Sequence, residues 1–158
     1  MTRIDPHPDI GPLTFLIGTW RGRGRGVYPT IDSFAYTEEV VIEPLPKPVL
    51  RYGQRTAHAD TGEPLHAEAG FFRLPDGVPE LVIAQPTGIV ECHAGVLEGQ
   101  RLVLQSTVVG LTPSAAGHRV TDVERTIEVV DDVLRYSLAM AAVGQDLQVH
   151  LVAELTRV

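Results

Sequence analysis

Histidine side chains are the groups of this chain best suited to metal or proton chemistry, because imidazole binds metals and titrates near neutral pH. The sequence contains six of them: His7, His58, His66, His93, His118 and His150. None forms an H-E-x-x-H motif or a closely spaced pair, so the local sequence does not predict a mononuclear zinc site. Two stand out by position, since His150 lies in the middle of the last predicted strand and His66 opens an earlier one. A surface or structural role is the alternative for both.

The motifs of hydrolases and of nucleotide-binding proteins are absent from the sequence. It contains no G-x-S-x-G nucleophile elbow, no G-x-G-x-x-G before a helix and no G-x-x-x-x-G-K-[ST] loop. The lone cysteine, Cys92, precedes His93, but adjacent residues of a strand point to opposite faces. We therefore interpret Cys92 as a buried or half-buried apolar side chain rather than a catalytic thiol.

The composition is typical of one globular domain spanning residues 1–158. Hydrophobic residues make up 44% of the chain and charged residues 21%, and the length suits one core rather than two. The formal net charge of −7 argues against nucleic acid as a partner. No stretch approaches the ~20 apolar residues of a membrane-spanning helix, and the single cysteine suits a reducing compartment. We therefore expect a cytoplasmic protein with no membrane contact.

Turn signals separate ten runs rich in β-branched, leucine and aromatic residues, which predict antiparallel strands. The predicted strands are Thr19–Val27, Phe34–Glu43, Val49–His58, Leu65–Leu74, Glu80–Gln85, Ile89–Val96, Arg101–Val109, Arg119–Val129, Val133–Ala142 and Leu147–Thr156. One short helix is expected near Pro12–Ile17. An open sheet of this size would expose two long edges, and closure removes both. The sequence thus predicts an all-β, ten-stranded antiparallel up-and-down barrel with a cavity and a short N-terminal helix.

The first predicted strand has small and large residues in strict alternation. Glycine or tryptophan occupies every second position, at Gly18, Trp20, Gly22, Gly24 and Gly26, with Arg21, Arg23 and Arg25 among the residues between them. Because strand side chains alternate between two faces, the arginines are expected to face water and the tryptophan and glycines to face inward. We expect the tryptophan to close one end of the barrel and the missing side chains to leave room inside it.

The direction of His150 cannot be decided from spacing. Alternation groups it with Gln148 and Glu154, while Leu151 and Leu155 share the opposite face. A simple amphipathic interpretation turns His150 toward water. A hollow barrel weakens that rule, because its cavity can carry polar groups, and a bulge changes which face a residue takes. Both directions therefore stay open at this point.

Four motifs together resemble the nitrobindin family. They are G-x-W-x-G-x-G at Gly18–Gly24, Y-P-T-I at Tyr28–Ile31, P-L-H-A-E-A-G-F at Pro64–Phe71 and L-Q-V-H-L at Leu147–Leu151. They occur in order, and the resemblance runs from about Pro12 to Val158. The chain departs from some relatives at Leu65, where those relatives carry methionine.

The resemblance implies a barrel related to fatty-acid-binding proteins and lipocalins, with one non-covalent haem b per subunit at an open end. It also implies that His150 is the axial iron ligand and that His66 lies near the distal face, which makes these two the expected catalytic residues. Thr30 is implied as a haem contact. The implied activity is conversion of peroxynitrite to nitrate on ferric haem, together with binding of nitric oxide.

The glycine strand is assigned to the same cofactor site. Trp20, Gly22 and Gly24 are expected on its inner face, where haem needs space. The sequence has no C-x-x-C-H motif, so covalent attachment of haem is excluded and retention depends on one coordination bond and burial. The expected partners are small molecules, with a homodimer left open.

Two other functions compete with this interpretation. A carrier of a hydrophobic small molecule would use the same cavity without redox chemistry. Such barrels often hold a carboxylate with an inward arginine, a role open to Arg51, Arg55, Arg119 or Arg125. The third possibility is an interaction module with an unused cavity.

Overall fold

The protein is described here by a computed structural model that covers residues 4–158. The described residues begin with a 3₁₀ helix, Pro8–Leu16, and continue into ten strands. These are β1 (Gly18–Tyr28), β2 (Ile31–Pro44), β3 (Val49–His58), β4 (Pro64–Arg73), β5 (Glu80–Ala84), β6 (Ile89–Glu98), β7 (Arg101–Leu111), β8 (Asp122–Val130), β9 (Val133–Ala141) and β10 (Gln148–Arg157). Two short 3₁₀ segments, Pro75–Gly77 and Pro113–His118, lie between strands.

Each strand pairs antiparallel with the next, and β1 also pairs with β10, so the sheet closes into a barrel. The predicted fold class is therefore confirmed. The strand bounds differ by only a few residues, and those of β3 coincide with the prediction. The largest shifts are at β2, which begins at Ile31 instead of Phe34, and at β8, which begins at Asp122 instead of Arg119. There the 3₁₀ segment Pro113–His118 was not predicted, and Arg119 ends it with a left-handed φ of 45° that a strand does not accept.

One end of the barrel is closed by the N-terminal helix. Ile10, Leu13 and Leu16 have no exposed surface and pack into the same core as Trp20. The indole Nε1 of Trp20 donates to the Leu16 carbonyl at 2.9 Å, which joins the helix to β1. Arg157 lies over the indole ring at 4.1 Å from its centroid. The prediction that the tryptophan closes one end is confirmed.

The two faces of β1 follow the predicted alternation. Arg21, Arg23 and Arg25 are exposed, and Arg21 donates to Glu39 on β2 at 2.7 Å. Trp20 and the glycines face inward. Within residues 4–158, no helix combines the length and the apolar character that crossing a membrane requires.

The expectation that the glycines of β1 leave empty room is wrong. A Cβ atom on Gly24 would lie 2.2 Å from the Tyr36 ring, and one on Gly26 would lie 2.2 Å from the Phe34 ring. A Cβ on Gly22 would lie 2.1 Å from the Glu154 carbonyl oxygen. The inner aromatic residues of β2 and the backbone of β10 fill this space. Glycine is required on β1 because its neighbours approach closely, not because a ligand lies against it.

Candidate functional site

The open end of the barrel holds a cavity of about 370 Å³. Its wall includes both histidines singled out from the sequence, His150 and His66. Apolar residues, among them Ile89, Leu138 and Leu151, form much of the rest. The cavity is lined by side chains from most of the strands, so closure of the sheet is what brings these distant segments together.

His150 faces the cavity because it is the extra residue of a β-bulge. In the pairing of β10 with β9, Val149 lies opposite Ala139 and Leu151 lies opposite Leu138, so His150 has no partner of its own. The bulge interrupts the two-residue period. His150 and Leu151 therefore both reach the cavity, although they are adjacent in sequence.

A second bulge holds the imidazole of His150 in place. In the pairing of β1 with β2, the register shifts between Gly26 and Tyr28, where Val27 lies opposite two residues of β2, Asp32 and Ser33. The carbonyl oxygen of Val27 accepts a hydrogen bond from His150 Nδ1 at 3.0 Å. The Tyr28 ring packs against the imidazole edge to face, with centroids 5.2 Å apart. Two neighbouring bulges thus position one side chain.

The Val27 contact also determines the tautomer of His150. A carbonyl oxygen can only accept, so Nδ1 must carry a hydrogen. Burial lowers the pKa of His150, with the Val27 hydrogen bond opposing that shift and the nearby His66 adding to it. The neutral ring then has its lone pair on Nε2. This is the form of imidazole that binds iron, with the other nitrogen held by a backbone carbonyl.

His66 lies on the cavity wall above a buried ion-pair cluster. Its Nε2 lies 3.3 Å from Glu68 Oε1, and Arg125 binds the same carboxylate through two hydrogen bonds of 3.0 and 2.9 Å. Arg125 also donates to Glu91 at 2.7 Å. Although burial alone would raise the pKa values of Glu68 and Glu91, Arg125 and the adjacent histidines hold both below their usual range. The two carboxylates are therefore ionised at neutral pH.

A second polar cluster lies beside the first and carries no arginine of its own. Glu38 accepts hydrogen bonds from Gln54 at 2.9 Å and from the Tyr136 hydroxyl at 2.7 Å. The Tyr136 hydroxyl is also 2.7 Å from the Tyr36 hydroxyl. Burial raises the pKa of Glu38 to about 7. Unlike Glu68 and Glu91, this carboxyl is only partly ionised near neutral pH.

The other residues proposed from the sequence lie away from the cavity wall. Thr30 is exposed in the tight turn between β1 and β2, at the same end of the barrel as His150. Trp20 is at the closed end, and Gly22 and Gly24 lie beneath other side chains or backbone. Trp20, Gly22 and Gly24, which the sequence interpretation assigns to the cofactor site, therefore do not line this cavity and instead shape the barrel around it.

The sequence interpretation missed most of the buried polar groups. Alternation contained the signal, since Glu38 shares the inner face of β2 with Tyr36 and Val40. Likewise, Glu68 shares a face of β4 with Phe72. A charged residue in phase with core residues marks an inward charge.

The buried arginine bears on the carrier hypothesis. Arg125 does point inward, as that hypothesis allowed, but Glu68 and Glu91 already occupy its guanidinium. Arg51 and Arg55 instead pair with glutamates on the outer face. A ligand carboxylate would have to displace a protein carboxylate, which disfavours a fatty-acid-type carrier. The His150 imidazole, with Nδ1 held by a backbone carbonyl beside the apolar side chains of the wall, fits haem better.

Taken together, the fold and the cavity define a closed antiparallel β-barrel with a histidine-bearing cavity at one end. Residues 9–157 match the family model described as the THAP4-like, heme-binding beta-barrel domain, and the chain belongs to this family. The resemblance to nitrobindins is therefore confirmed, and with it the haem cofactor.

Relatives with assigned names cover nearly the whole chain. It is 48% identical to Peroxynitrite isomerase 1 of Mycolicibacterium paratuberculosis, over 97% of each chain. It is 48% identical to the Peroxynitrite isomerase of Nocardia farcinica, over 96% of this chain and 92% of the other. The crystal structure of Rv2717c from M. tuberculosis superposes with a TM-score of 0.89 at 42% identity, covering 98% and 99% of the two chains.

Proposed function

We propose that this protein is a haem-dependent peroxynitrite isomerase that converts peroxynitrite to nitrate and also binds nitric oxide. The names of its relatives support the reaction. The observation that carries the proposal for this chain is the imidazole of His150, held by the Val27 carbonyl with Nε2 left for iron. Residues 1–158 then act as a single domain that binds one non-covalent haem b.

When bound, ferric haem would supply a Lewis acid for a small anion. His150 would hold the iron, because the two bulges and the Tyr28 ring fix the direction of its imidazole. The apolar side chains around Leu138 and Leu151 would limit the access of water to the bound anion. His66 is proposed as the second catalytic residue. Glu68 orients its ring, and its Nδ1 has no partner among the described residues.

Three further features belong to the proposal. We expect a cytoplasmic protein with no disulfide, since Cys92 is its only cysteine and is half-buried on β6. We expect small molecules as ligands and neither nucleic acid nor membrane as a partner. The outer face of β4 to β7 carries three exposed apolar side chains in or near register, Phe71, Val82 and Val108. This is the face we propose for a homodimer, which light scattering during size-exclusion chromatography can check.

Replacement of His150 tests the function directly. The variant His150→Ala is expected to lose tight haemin binding and its Soret band, while circular dichroism still reports a folded barrel. His118→Ala is the matched control and should bind haemin normally, because His118 is exposed and does not line the cavity. Stopped-flow mixing of the haem-loaded wild-type protein with peroxynitrite should give faster decay than free haemin and a product enriched in nitrate.

Two outcomes would overturn the proposal. An unchanged Soret band in His150→Ala would show that another group binds iron. Normal haem binding with no acceleration of peroxynitrite decay would leave a haem protein of another function. Binding of a fatty-acid probe to the apo protein in the micromolar range would favour the carrier.

A further inference from the structure

Three side chains at the base of the cavity form a continuous row of hydrogen-bonding oxygens. The Glu38 carboxyl, the Tyr136 hydroxyl and the Tyr36 hydroxyl are joined by two contacts of 2.7 Å each. Glu38 is 4% exposed and Tyr36 only 1%. Tyr36 lines the cavity that His150 faces, whereas Glu38 and Tyr136 do not line that cavity but an adjoining space of about 40 Å³. The row therefore leads from a buried acid to a residue of the cavity wall.

The direction of the hydroxyl hydrogens in this row depends on Glu38. A hydroxyl donates one hydrogen bond and can accept others, so two linked hydroxyls can point either way. When Glu38 is ionised it can only accept, so Tyr136 donates to it and Tyr36 donates to Tyr136. The oxygen of Tyr36 then has only lone pairs free.

A proton on Glu38 reverses this order. Gln54 donates its amide N–H to Glu38 Oε1, which leaves Oε2, the oxygen facing Tyr136, to carry the proton. Glu38 then donates to Tyr136, and Tyr136 donates to Tyr36. The hydroxyl hydrogen of Tyr36 is released from the row, and Tyr36 is the member of the row that lines the cavity.

We propose that Glu38 is a positioning residue that sets, through Tyr136, whether Tyr36 presents a hydrogen-bond donor or an acceptor to a ligand in the haem cavity. One proton is taken up from solvent by Glu38, and no bond other than O–H bonds changes. An anionic ligand is stabilised by the donor state and not by the acceptor state. This inference rests on the proposed function, because the ligand it affects is an anion bound in the haem-loaded cavity.

The surroundings of Glu38 place its titration in a useful range. The groups that face it are Gln54 on β3, Glu68 on β4, Arg125 on β8, Tyr136 on β9 and Tyr36 on β2. Burial raises the pKa of Glu38 to about 7 and Glu68 adds to this, while Tyr136, Gln54 and Arg125 act in the opposite direction. Burial also raises the pKa of Tyr36 and of Tyr136, so both keep their hydrogens throughout.

The first test uses the apo protein and needs no haem. In protein carrying 13C-labelled glutamate, the carboxyl signal of Glu38 is identified by its loss in Glu38→Gln. We expect this signal to titrate with a midpoint near pH 7. Glu39→Gln is the matched control, because Glu39 is the next residue but pairs with Arg21 and Arg55 on the outer face. A midpoint below pH 5.5 would overturn the proposal.

The second test uses fluoride as a probe of ferric haem in the wild type and in Tyr36→Phe. Hydroxide competes with fluoride for the iron in both proteins, so we compare the ratio of the two fluoride affinities at each pH. We expect the wild type to bind fluoride about tenfold more tightly below pH 6, since one hydrogen bond to an anion is lost in the variant. The ratio should fall toward one above pH 8. In Glu38→Gln, the amide N–H₂ donates to Tyr136 at every pH, so the tight state should persist.

The outcomes separate this proposal from the proposed function. A ratio that is independent of pH, in a protein that binds haemin and accelerates peroxynitrite decay, would overturn the Glu38 row and leave the enzyme function intact. A protein that binds no haemin would refute the function, and the apo titration would still report on Glu38. If Glu38→Gln does not fold, the pH dependence of the fluoride affinity ratio between the wild type and Tyr36→Phe alone decides whether the proposal holds.

Discussion

The closed end and the open end of the barrel bury different kinds of side chain. At the closed end, Trp20 and three residues of the N-terminal helix pack without exposed surface. At the open end, the interior holds a cavity of about 370 Å³ and, beneath it, Glu38, Glu68 and Arg125, all buried. Apolar burial stabilises the fold, whereas buried charges cost free energy unless they are paired. Stability and chemistry are therefore provided by opposite ends of one sheet.

This difference teaches why the backbone is regular at one end and interrupted at the other. Near Trp20, β1 pairs in continuous register with both neighbours. Near the cavity, His150 is the bulged residue of β10, and Val27 lies opposite the bulge of β2. A regular strand would pair the Val27 carbonyl within the sheet and turn His150 away from the cavity. The bulges create the binding geometry, and the apolar packing at the closed end offsets the free energy that they cost.

The largest expected effect comes from breaking the closed end. Trp20→Ala removes a fully buried side chain and its hydrogen bond to Leu16, and should lower the free energy of unfolding by about 3–5 kcal/mol. Urea denaturation of the apo protein measures the loss. Val130→Ala is the control, since Val130 is 44% exposed on β8 and lies outside the face proposed for a homodimer, and should change stability by about 0.5 kcal/mol or less.

Haemin binding by the same variant tests whether the closed end contributes to the cofactor site. Because Trp20 is distant from the cavity wall, folded Trp20→Ala should bind haemin as tightly as the wild type. A loss of haem affinity in the folded variant would restore Trp20 to the cofactor site, as the sequence interpretation first had it.

The sequence predicted the regular parts of the molecule much better than the interrupted ones. The bounds of β3 and the outward arginines of β1 follow from a two-residue period and turn chemistry, which are local properties. The inward direction of His150 depends on one extra residue relative to β9, and a single strand contains no record of its partner's register. For the same reason, the Val27 carbonyl was not identified as the group that orients His150.

A smaller effect, specific to the open end, is expected from the pH dependence of stability. Glu38 has its pKa raised from 4.5 to about 7 in the folded protein. Below pH 4.5 the Glu38 carboxyl is protonated in both the folded and the unfolded state, so its burial causes no loss of stability through ionisation. Between these values the unfolded chain loses the proton and the folded protein keeps it, so stability falls as pH rises. Above pH 7 the loss is complete, at about 3 kcal/mol.

Glu38→Gln removes this dependence. The difference in unfolding free energy between Glu38→Gln and the wild type should shift in favour of the variant by about 3 kcal/mol between pH 4.5 and pH 7.5. Denaturation in urea at a series of pH values measures it. Glu39→Gln should lack this shift, because Glu39 pairs with arginines on the outer face and its pKa is lowered rather than raised. A flat difference for Glu38→Gln would mean that Glu38 is already ionised at pH 5.

The smallest effect is expected where the two ends meet, at Gly24. Gly24→Ala places a methyl group against the buried Tyr36 ring, which must move, so the variant should lose about 1–3 kcal/mol of stability. Gly53→Ala on β3 is the matched control. A Cβ there has no atom within 4 Å, and the change should be neutral or slightly stabilising.

Because the Tyr36 hydroxyl moves with its ring, Gly24→Ala should also weaken fluoride binding at pH 6, and Gly53→Ala should leave it unchanged. A stable Gly24→Ala variant with normal fluoride binding would show that Tyr36 has room to shift, and would weaken the view that β1 glycines fix the cavity floor.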